Sequence, residues 1–409
     1  HQLMRSVSIV VPTRDRGDTL AHTIRTLVEQ EYEALEIIVS DNASSDDTHD
    51  VVKSFSDSRL KYVNTGTRLS MSDNWEFALE QATGEFLGFI GDDDGYLPNA
   101  ISAAMAALDS HGLDAIVWDK ADYCWPDHID PALQNWIVVK DRSRGLEVAR
   151  GQKKLRRVLE FHESYSRLPC LYSGILRRSF VSSVMKASTN HRFFNGLSPD
   201  VYSGVALSMV VESYLSSATP FSVNGASRHS NGTSVMRSKT NDADSPAARF
   251  ASENNLVYDE RIKLAPSTLV FVIGEYLEAR KSLPSFRFPA PDWNRYVRAL
   301  VKDAAASYGR AEILDSAAHT ATLTGVSVAI HNAPPPPQRP PATGLEPQGN
   351  SLAFKAPLDM VSNVYDACKL VGSIVASVQQ ADPRAPFERF IQRAADSLLF
   401  EAKNLYRSI

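Results

Sequence analysis

The chain has 409 residues, 43% hydrophobic and 22% charged, with a net charge of −5 and a pI near 6.1. That length accommodates two or three domains, and the acidic balance excludes a global basic field of the kind that binds nucleic acid or anionic membrane. Three distant cysteines (Cys124, Cys170 and Cys368) exclude a disulfide framework or a zinc site and fit a reducing cytoplasm. No apolar run approaches the roughly 18–20 residues that span a bilayer, and the first residues lack a signal pattern. His1–Leu3 read as residues added ahead of a natural start at Met4.

In chain order, VSIVV (7–11) is a short apolar run rich in β-branched residues, as in a strand covered on both faces. TRDRGD breaks it, and Asp18 is expected to cap a helix with Leu20, Ile24, Leu27 and Val28 on one face. LEIIVS (35–40) is the second strand, followed by the polar turn DNASSDDT and a helix around Val51, Val52 and Phe55. LKYVN (60–64) is a third strand, and Ser72 or Asp73 caps a helix carrying Trp75, Ala78, Leu79 and Ala82 that Gly84 ends. EFLGFIG (85–91), a helix from about Pro98 to Leu108, and DAIVWD (114–119) complete the rhythm. Strand and helix alternating at this spacing predict an α/β fold, a mostly parallel Rossmann-like sheet with helices on both faces.

FLGFIGDDDGYLP places three adjacent carboxylates, Asp92, Asp93 and Asp94, at the mouth of a buried strand, with no cation beside them in sequence. Ligands of open parallel sheets bind at the carboxyl ends of the strands. Thr13–Asp15, Asp41–Ser44 and Asp92–Asp94 all fall there. Mn²⁺ or Mg²⁺, which take one or two carboxylates plus phosphate oxygens, would relieve the repulsion and hold a diphosphate.

VVPTRDR, IIVSDNASSDDT and ATGEFLGFIGDDDGYLP together resemble the nucleotide-binding half of inverting GT-A glycosyltransferases of sequence family two, across residues 7–98 and more loosely to about 235. The resemblance implies a metal-dependent inverting transfer from a nucleotide-diphosphate sugar, most simply a UDP-sugar, to a glycan or lipid-linked acceptor, in bacterial surface glycan assembly. Carried onto this chain, Pro12, Thr13, Arg14 and Asp15 line the donor site, Asp41 bonds the base, and Asn42 and Ser44 shape its loop. Arg68 and Asn74 fall where relatives contact the donor. The DXD element corresponds to Asp92–Asp94, with Asp93 the metal ligand by register with Pro98 and either Asp92 or Asp94 the second. Asp200, in NGLSPDVYSG, is the implied general base, and His229 a further metal or diphosphate contact.

Plainer roles compete. Asp200 can cap a helix, Asp41 and Asp46 can order their turns, and His229 can be an ordinary loop histidine. Residues 142–161 read as a basic helix with Leu155, Val158 and Leu159 inward, a solvated face or a cradle for an anionic acceptor.

The expected organisation is 4–120 donor half, 121–250 acceptor half, 251–331 helical extension, 332–350 Pro-rich linker and 351–409 amphipathic helices. Those last helices would pack on the chain's own body, join a second subunit or touch a membrane surface. The expected location is cytoplasmic, with peripheral attachment at the inner face of the membrane as the variant. Two other function classes stand beside the transferase: a sugar nucleotidylyltransferase, disfavoured because PTRDRGD is not a Gly-rich triphosphate loop, and a non-catalytic GT-A-fold binding module.

Overall fold

The apolar, β-branched runs become the centre of an eight-stranded sheet. The structure, a computed structural model, describes residues 5–140, 145–230, 257–307, 309–327, 346–348 and 351–379. Its first strands are β1 (Val7–Thr13), β2 (Leu35–Asp41), β3 (Leu60–Asn64) and β4 (Phe86–Phe89). A two-residue strand, β5 (Gly95–Tyr96), follows the acidic triplet, and β6 (Ala115–Trp118), β7 (Ala121–Cys124), β8 (Trp136–Val139) and β9 (Leu146–Arg150) come next. β10 (Gly174–Arg177), β11 (Ser213–Ser217), β12 (Ser222–Ala226), β13 (Glu346–Gln348) and β14 (Ser351–Lys355) complete the set.

The main sheet runs β3-β2-β1-β4-β10-β6-β11-β9. β1 is parallel to β2 and β4, with Thr13 opposite Asp41 and Val10 opposite Phe89, so the loops after all three strands leave at one edge. Antiparallel β10 separates β4 from β6, a four-residue insertion with too little periodicity to be read from sequence. The second sheet, β13-β14-β8-β7-β12-β5, begins just beyond the acidic triplet and therefore faces the same loops.

Several local expectations shift. Helix Gly17–Val28 starts one residue before Asp18, which sits in its first turn; Asp46 Oδ2 accepts the Gly17 N–H at 2.9 Å and serves that end from the neighbouring loop. Helix Met71–Gln81 is capped by Ser70, whose hydroxyl accepts the Asp73 N–H, rather than by Ser72 or Asp73. It ends before Gly84, whose missing side chain instead makes room for Ser8, where a Cβ would lie 2.6 Å from the backbone nitrogen. The basic stretch is an edge strand, β9, then helix Gly151–Leu159, with Leu155 and Val158 buried as expected.

One apolar core lies between the main sheet and helices Gly17–Val28 and Ala100–His111. A second lies on the other face under Met71–Gln81 and Pro199–Leu207, and a third inside the helices Thr268–Ser282, Trp293–Ala304 and Arg310–Thr324. Residues 351–379 return to the first core rather than standing apart: β14 pairs with β8, and helix Val364–Gln379 packs on Gly17–Val28. The expected final helix, within 386–409, lies outside the described residues, as does most of the Pro-rich segment. No helix among the described residues is long and apolar enough to cross a membrane.

A chain ending at residue 345 loses Leu352, Phe354, Val361, Val364, Val371 and Ile374 from that core. At roughly 1.5–3 kcal/mol per buried side chain, the loss rivals the stability of a typical domain. We expect this truncation to lose its cooperative thermal transition; a melt matching the parent would show the segment dispensable.

Candidate active site

The three acids occupy different environments. Asp92 Oδ2 accepts from the Thr13 hydroxyl at 2.7 Å, and its Oδ1 from Arg16 Nη1 at 2.8 Å. The missing cation is therefore partly supplied from within: Arg16, just past β1, pairs with Asp92 and also donates to the His229 carbonyl. Burial alone lowers the Arg16 guanidinium, but the charges of Asp92 and Asp93 outweigh it and raise it. Asp93 Oδ2 accepts from Ser227 at 2.8 Å and Ser230 at 2.5 Å, both beyond β12.

Asp94 turns inward. Its Oδ1 accepts the Gly225 N–H at 2.7 Å, and its Oδ2 accepts from Tyr172 and from the Gly91 N–H. Burial, then the charge of Asp93, push its carboxyl up to about 7. A carboxyl so placed braces the loop.

The loops after β1 and β2 are tied to one another. Asp41 Oδ1 accepts the Ser44 N–H, and its Oδ2 accepts from Tyr62 at 2.7 Å and Asn64 at 3.3 Å. Ser44 Oγ accepts the Asp15 N–H at 2.8 Å, and Arg68 pairs with Asp15 at 2.6 Å. Asn42 exchanges hydrogen bonds with both backbone groups of Leu69. Asp15 (φ 52°) and Ala43 (φ 51°) adopt left-handed backbone, uncommon for residues with a Cβ and a mark of turns held by their surroundings. Pro12 and Arg14 are half-buried at the same edge. Asn74 departs from this group: it is buried beneath β2, where its amide oxygen accepts from Ser40.

Asp200 reaches the site from the opposite side. Ser198 is the N-cap position of helix Pro199–Leu207 and Pro199 opens it, so Asp200 lies in the first turn, where the helix dipole favours a carboxylate. Its Oδ2 accepts from the Tyr165 hydroxyl at 3.2 Å. Burial raises its carboxyl; the Val201 N–H, the charge of Lys120 and the Tyr165 hydroxyl pull the other way. The contact with Val201 means that Asp200 also serves its helix end. Cys170 Sγ lies 3.5 Å from the Asp200 carbonyl and 3.2 Å from that of Tyr172, whose hydroxyl bonds Asp94. The base candidate and the acidic loop are thus linked through Cys170 and Tyr172.

The pocket holds residues that the sequence did not single out. Lys120, just past β6, sits with its ammonium 4.5 Å from the Tyr172 ring centroid and 3.3 Å from Asn224 Oδ1. Tyr172, Ser227 and Ser230 contact the acids across 78 to 137 residues of chain, a separation that no local pattern reports. His229 does arrive, but through its carbonyl on Arg16; its ring faces Asp18 at 3.4 Å and Arg228 at 3.0 Å.

Among the described residues no group of three or more His, Cys, Asp or Glu side chains converges as a self-sufficient metal cage. Asp93 beside Asp92 does fit the hard-cation pattern, in which one or two carboxylates bind and substrate phosphate completes the sphere.

Residues 8–168 match the sequence profile described as "Glycosyl transferase family 2". This segment is similar to that family. The chain is 41% identical over 105 residues to a Campylobacter jejuni protein named GalNAc(5)-diNAcBac-PP-undecaprenol beta-1,3-glucosyltransferase, covering 25% of this chain and 34% of that one. It is 30% identical over 99 residues to Escherichia coli WfaP, named UDP-Glc:alpha-D-GlcNAc-diphosphoundecaprenol beta-1,3-glucosyltransferase, covering 24% of this chain and 39% of that one. The chain therefore spans between a third and two-fifths of the length of these relatives. Among solved structures, Staphylococcus aureus TarS 1–349 with UDP-GlcNAc aligns over 78% of this chain and 92% of its own, at 15% identity and a TM-score of 0.42. The matched segment begins in β1 and runs past the acidic loop as far as Leu168, and the architecture around it is the mostly parallel α/β sheet with helices on both faces expected from sequence.

Proposed function

We propose that this protein transfers a sugar, with inversion, from a nucleotide-diphosphate donor to a hydroxyl of a glycan or lipid-linked acceptor. The observation that carries the reading is the convergence of the acidic loop and Asp200 on Tyr172 and Lys120. The names of the relatives support a UDP-sugar donor and an acceptor carried on a diphosphate lipid. Such an acceptor would bring the protein to a membrane surface.

In this reading the loops after β1 and β2 hold the nucleoside, with Asp41 offering its remaining acceptor capacity to the base. Asp93, with Asp92, would hold a divalent cation, which when bound stabilises the charge growing on the leaving diphosphate. Arg16 lies within reach of the same charge and shields Asp92 before the donor arrives. Asp200 accepts the proton of the attacking hydroxyl as that oxygen bonds to the anomeric carbon. The bond from that carbon to the diphosphate oxygen breaks on the opposite face, and its electron pair leaves with the nucleotide. The charge of Lys120 opposes the burial that raises the Asp200 carboxyl.

A thermal-shift and turnover screen of nucleotide sugars, with and without Mn²⁺, tests the whole reading. UDP with Mn²⁺ at about a hundredfold its Kd is expected to stabilise the fold by roughly 2.7 kcal/mol, and a UDP-sugar to release UDP when acceptor is added. Pyrophosphate release from a nucleoside triphosphate and a sugar phosphate would instead identify a nucleotidylyltransferase. Binding of nucleotide sugars with no turnover on lipid-diphosphate glycans would identify a binding module.

A further inference from the structure

The loop that carries Asp200 into the pocket is held by its backbone, and two buried carboxylates hold it. Glu76 accepts the N–H groups of Phe193 at 3.1 Å and Phe194 at 2.8 Å. Glu275, on helix Thr268–Ser282 of the C-terminal extension, is fully buried. Its Oε1 accepts the N–H groups of Leu197 at 2.8 Å and Ser198 at 2.7 Å, and also the Tyr258 hydroxyl. Ser72 donates to the Gly196 carbonyl and closes the same turn. A Cβ at Gly196 would stand 1.5 Å from Glu275 Oε2, so the carboxylate and the loop backbone meet with no room for a side chain.

This arrangement is costly if stability is its only purpose. A buried carboxylate loses its hydration, and here that loss is offset only by the donors it accepts, which an apolar side chain would leave orphaned. Glu275 Oε2 is moreover buried without a hydrogen-bond partner among the described residues, an exception that asks for a reason. What the carboxylate supplies that a leucine would not is two directed hydrogen bonds to the amides at the very start of the helix bearing Asp200. These fix the orientation of its first turn, and hence where the Asp200 carboxylate points.

We propose that Glu275 is a positioning residue for Asp200, through which the helical extension sets the geometry of proton removal from the acceptor. The proposal rests on the reading of Asp200 as the base. It assigns the segment beyond the family-two match a part in the reaction, because helix Thr268–Ser282, which packs along helix Pro199–Leu207, also reaches the backbone just ahead of Asp200 through this carboxylate. Burial pushes the Glu275 carboxyl up to about 8. In either protonation state Oε1 is an acceptor for the Leu197 and Ser198 amides, a role that a glutamine reproduces.

Three variants test it: Glu275→Ala, Glu275→Gln and Gly196→Ala. Misplacing a reacting group by about 1 Å costs on the order of a hundredfold in rate. Glu275→Ala and Gly196→Ala are each expected to keep the parental affinity for UDP with Mn²⁺ by calorimetry. Both should lower kcat for UDP release from UDP-glucose with a lipid-diphosphate glycan acceptor by roughly ten- to a hundredfold. Glu275→Gln should restore kcat to within about threefold of the parent, because it retains an acceptor facing Leu197 and Ser198. The double variant Gly196→Ala/Glu275→Ala should be no slower than Glu275→Ala alone, since removing the carboxylate makes room for the methyl group.

Unchanged kcat in Gly196→Ala or Glu275→Ala overturns the proposal. Loss of UDP affinity together with kcat overturns it too, because a general structural contact would behave that way, as would failure of Glu275→Gln to recover. Asp200→Asn in the same assay separates the two readings: if it turns over like the parent, the base assignment fails by its own result.

Discussion

Asp200→Asn is expected to bind UDP and Mn²⁺ as tightly as the parent and to lose turnover by roughly 10²–10⁴-fold, the usual worth of a positioned general base. The substitution is nearly isosteric and keeps an oxygen for the Tyr165 hydroxyl, and helix Pro199–Leu207 opens on Ser198 and Pro199, which are unchanged. What it removes is the capacity to take a proton. The pH profile carries a second signature. Burial raises the Asp200 carboxyl, so the ionised base is lost as pH falls through a value above the ordinary 3.8, and kcat falls with it. That acid limb should be absent from the residual activity of the variant. Parental turnover in Asp200→Asn would move the base elsewhere in the pocket. A joint loss of UDP affinity and thermal stability would reduce Asp200 to its helix-end contact.

How much of this was legible beforehand follows from the range of each interaction. β1, β2, β4 and β6 announce themselves because strands buried on both faces need continuous apolar runs, and the acids after β4 stand out against that background. Their address followed from the parallel order alone. Arg16 was in plain view in TRDRGD, yet its role was invisible, since it meets Asp92 across 76 residues. The cap of helix Met71–Gln81 was misplaced by two residues because Ser70, Ser72 and Asp73 are all good N-cap types, and only the backbone geometry chooses among them. Lys120, Tyr172 and Glu275 were missed for a related reason. Each is an ordinary residue in its local context and acquires its meaning when β10 inserts between β4 and β6, or when the C-terminal helices close on the acceptor half. The return of residues 351–379 to the first core likewise depends on pairing with β8 across more than two hundred residues.

Asp93→Ala carries the other large effect. In the parent, UDP should bind tightly with Mn²⁺ and weakly in EDTA; in the variant the two affinities should coincide at the weaker value. A bound cation supplies several kcal/mol at the leaving group, and each 1.36 kcal/mol is tenfold, so turnover should fall by about 10²–10³-fold. The fold should survive. Asp93 is one of three crowded acids, and its removal relieves repulsion, which offsets the acceptor lost by Ser227 and Ser230. Asp94→Asn provides the contrast, because Asp94 spends its oxygens on Gly225, Tyr172 and Gly91, and burial pushes its carboxyl up to about 7. That variant should retain Mn²⁺-dependent UDP binding. If instead Asp94→Asn abolishes the manganese effect and Asp93→Ala preserves it, the cation sits on the inner acid, and the register with Pro98 that selected Asp93 is wrong.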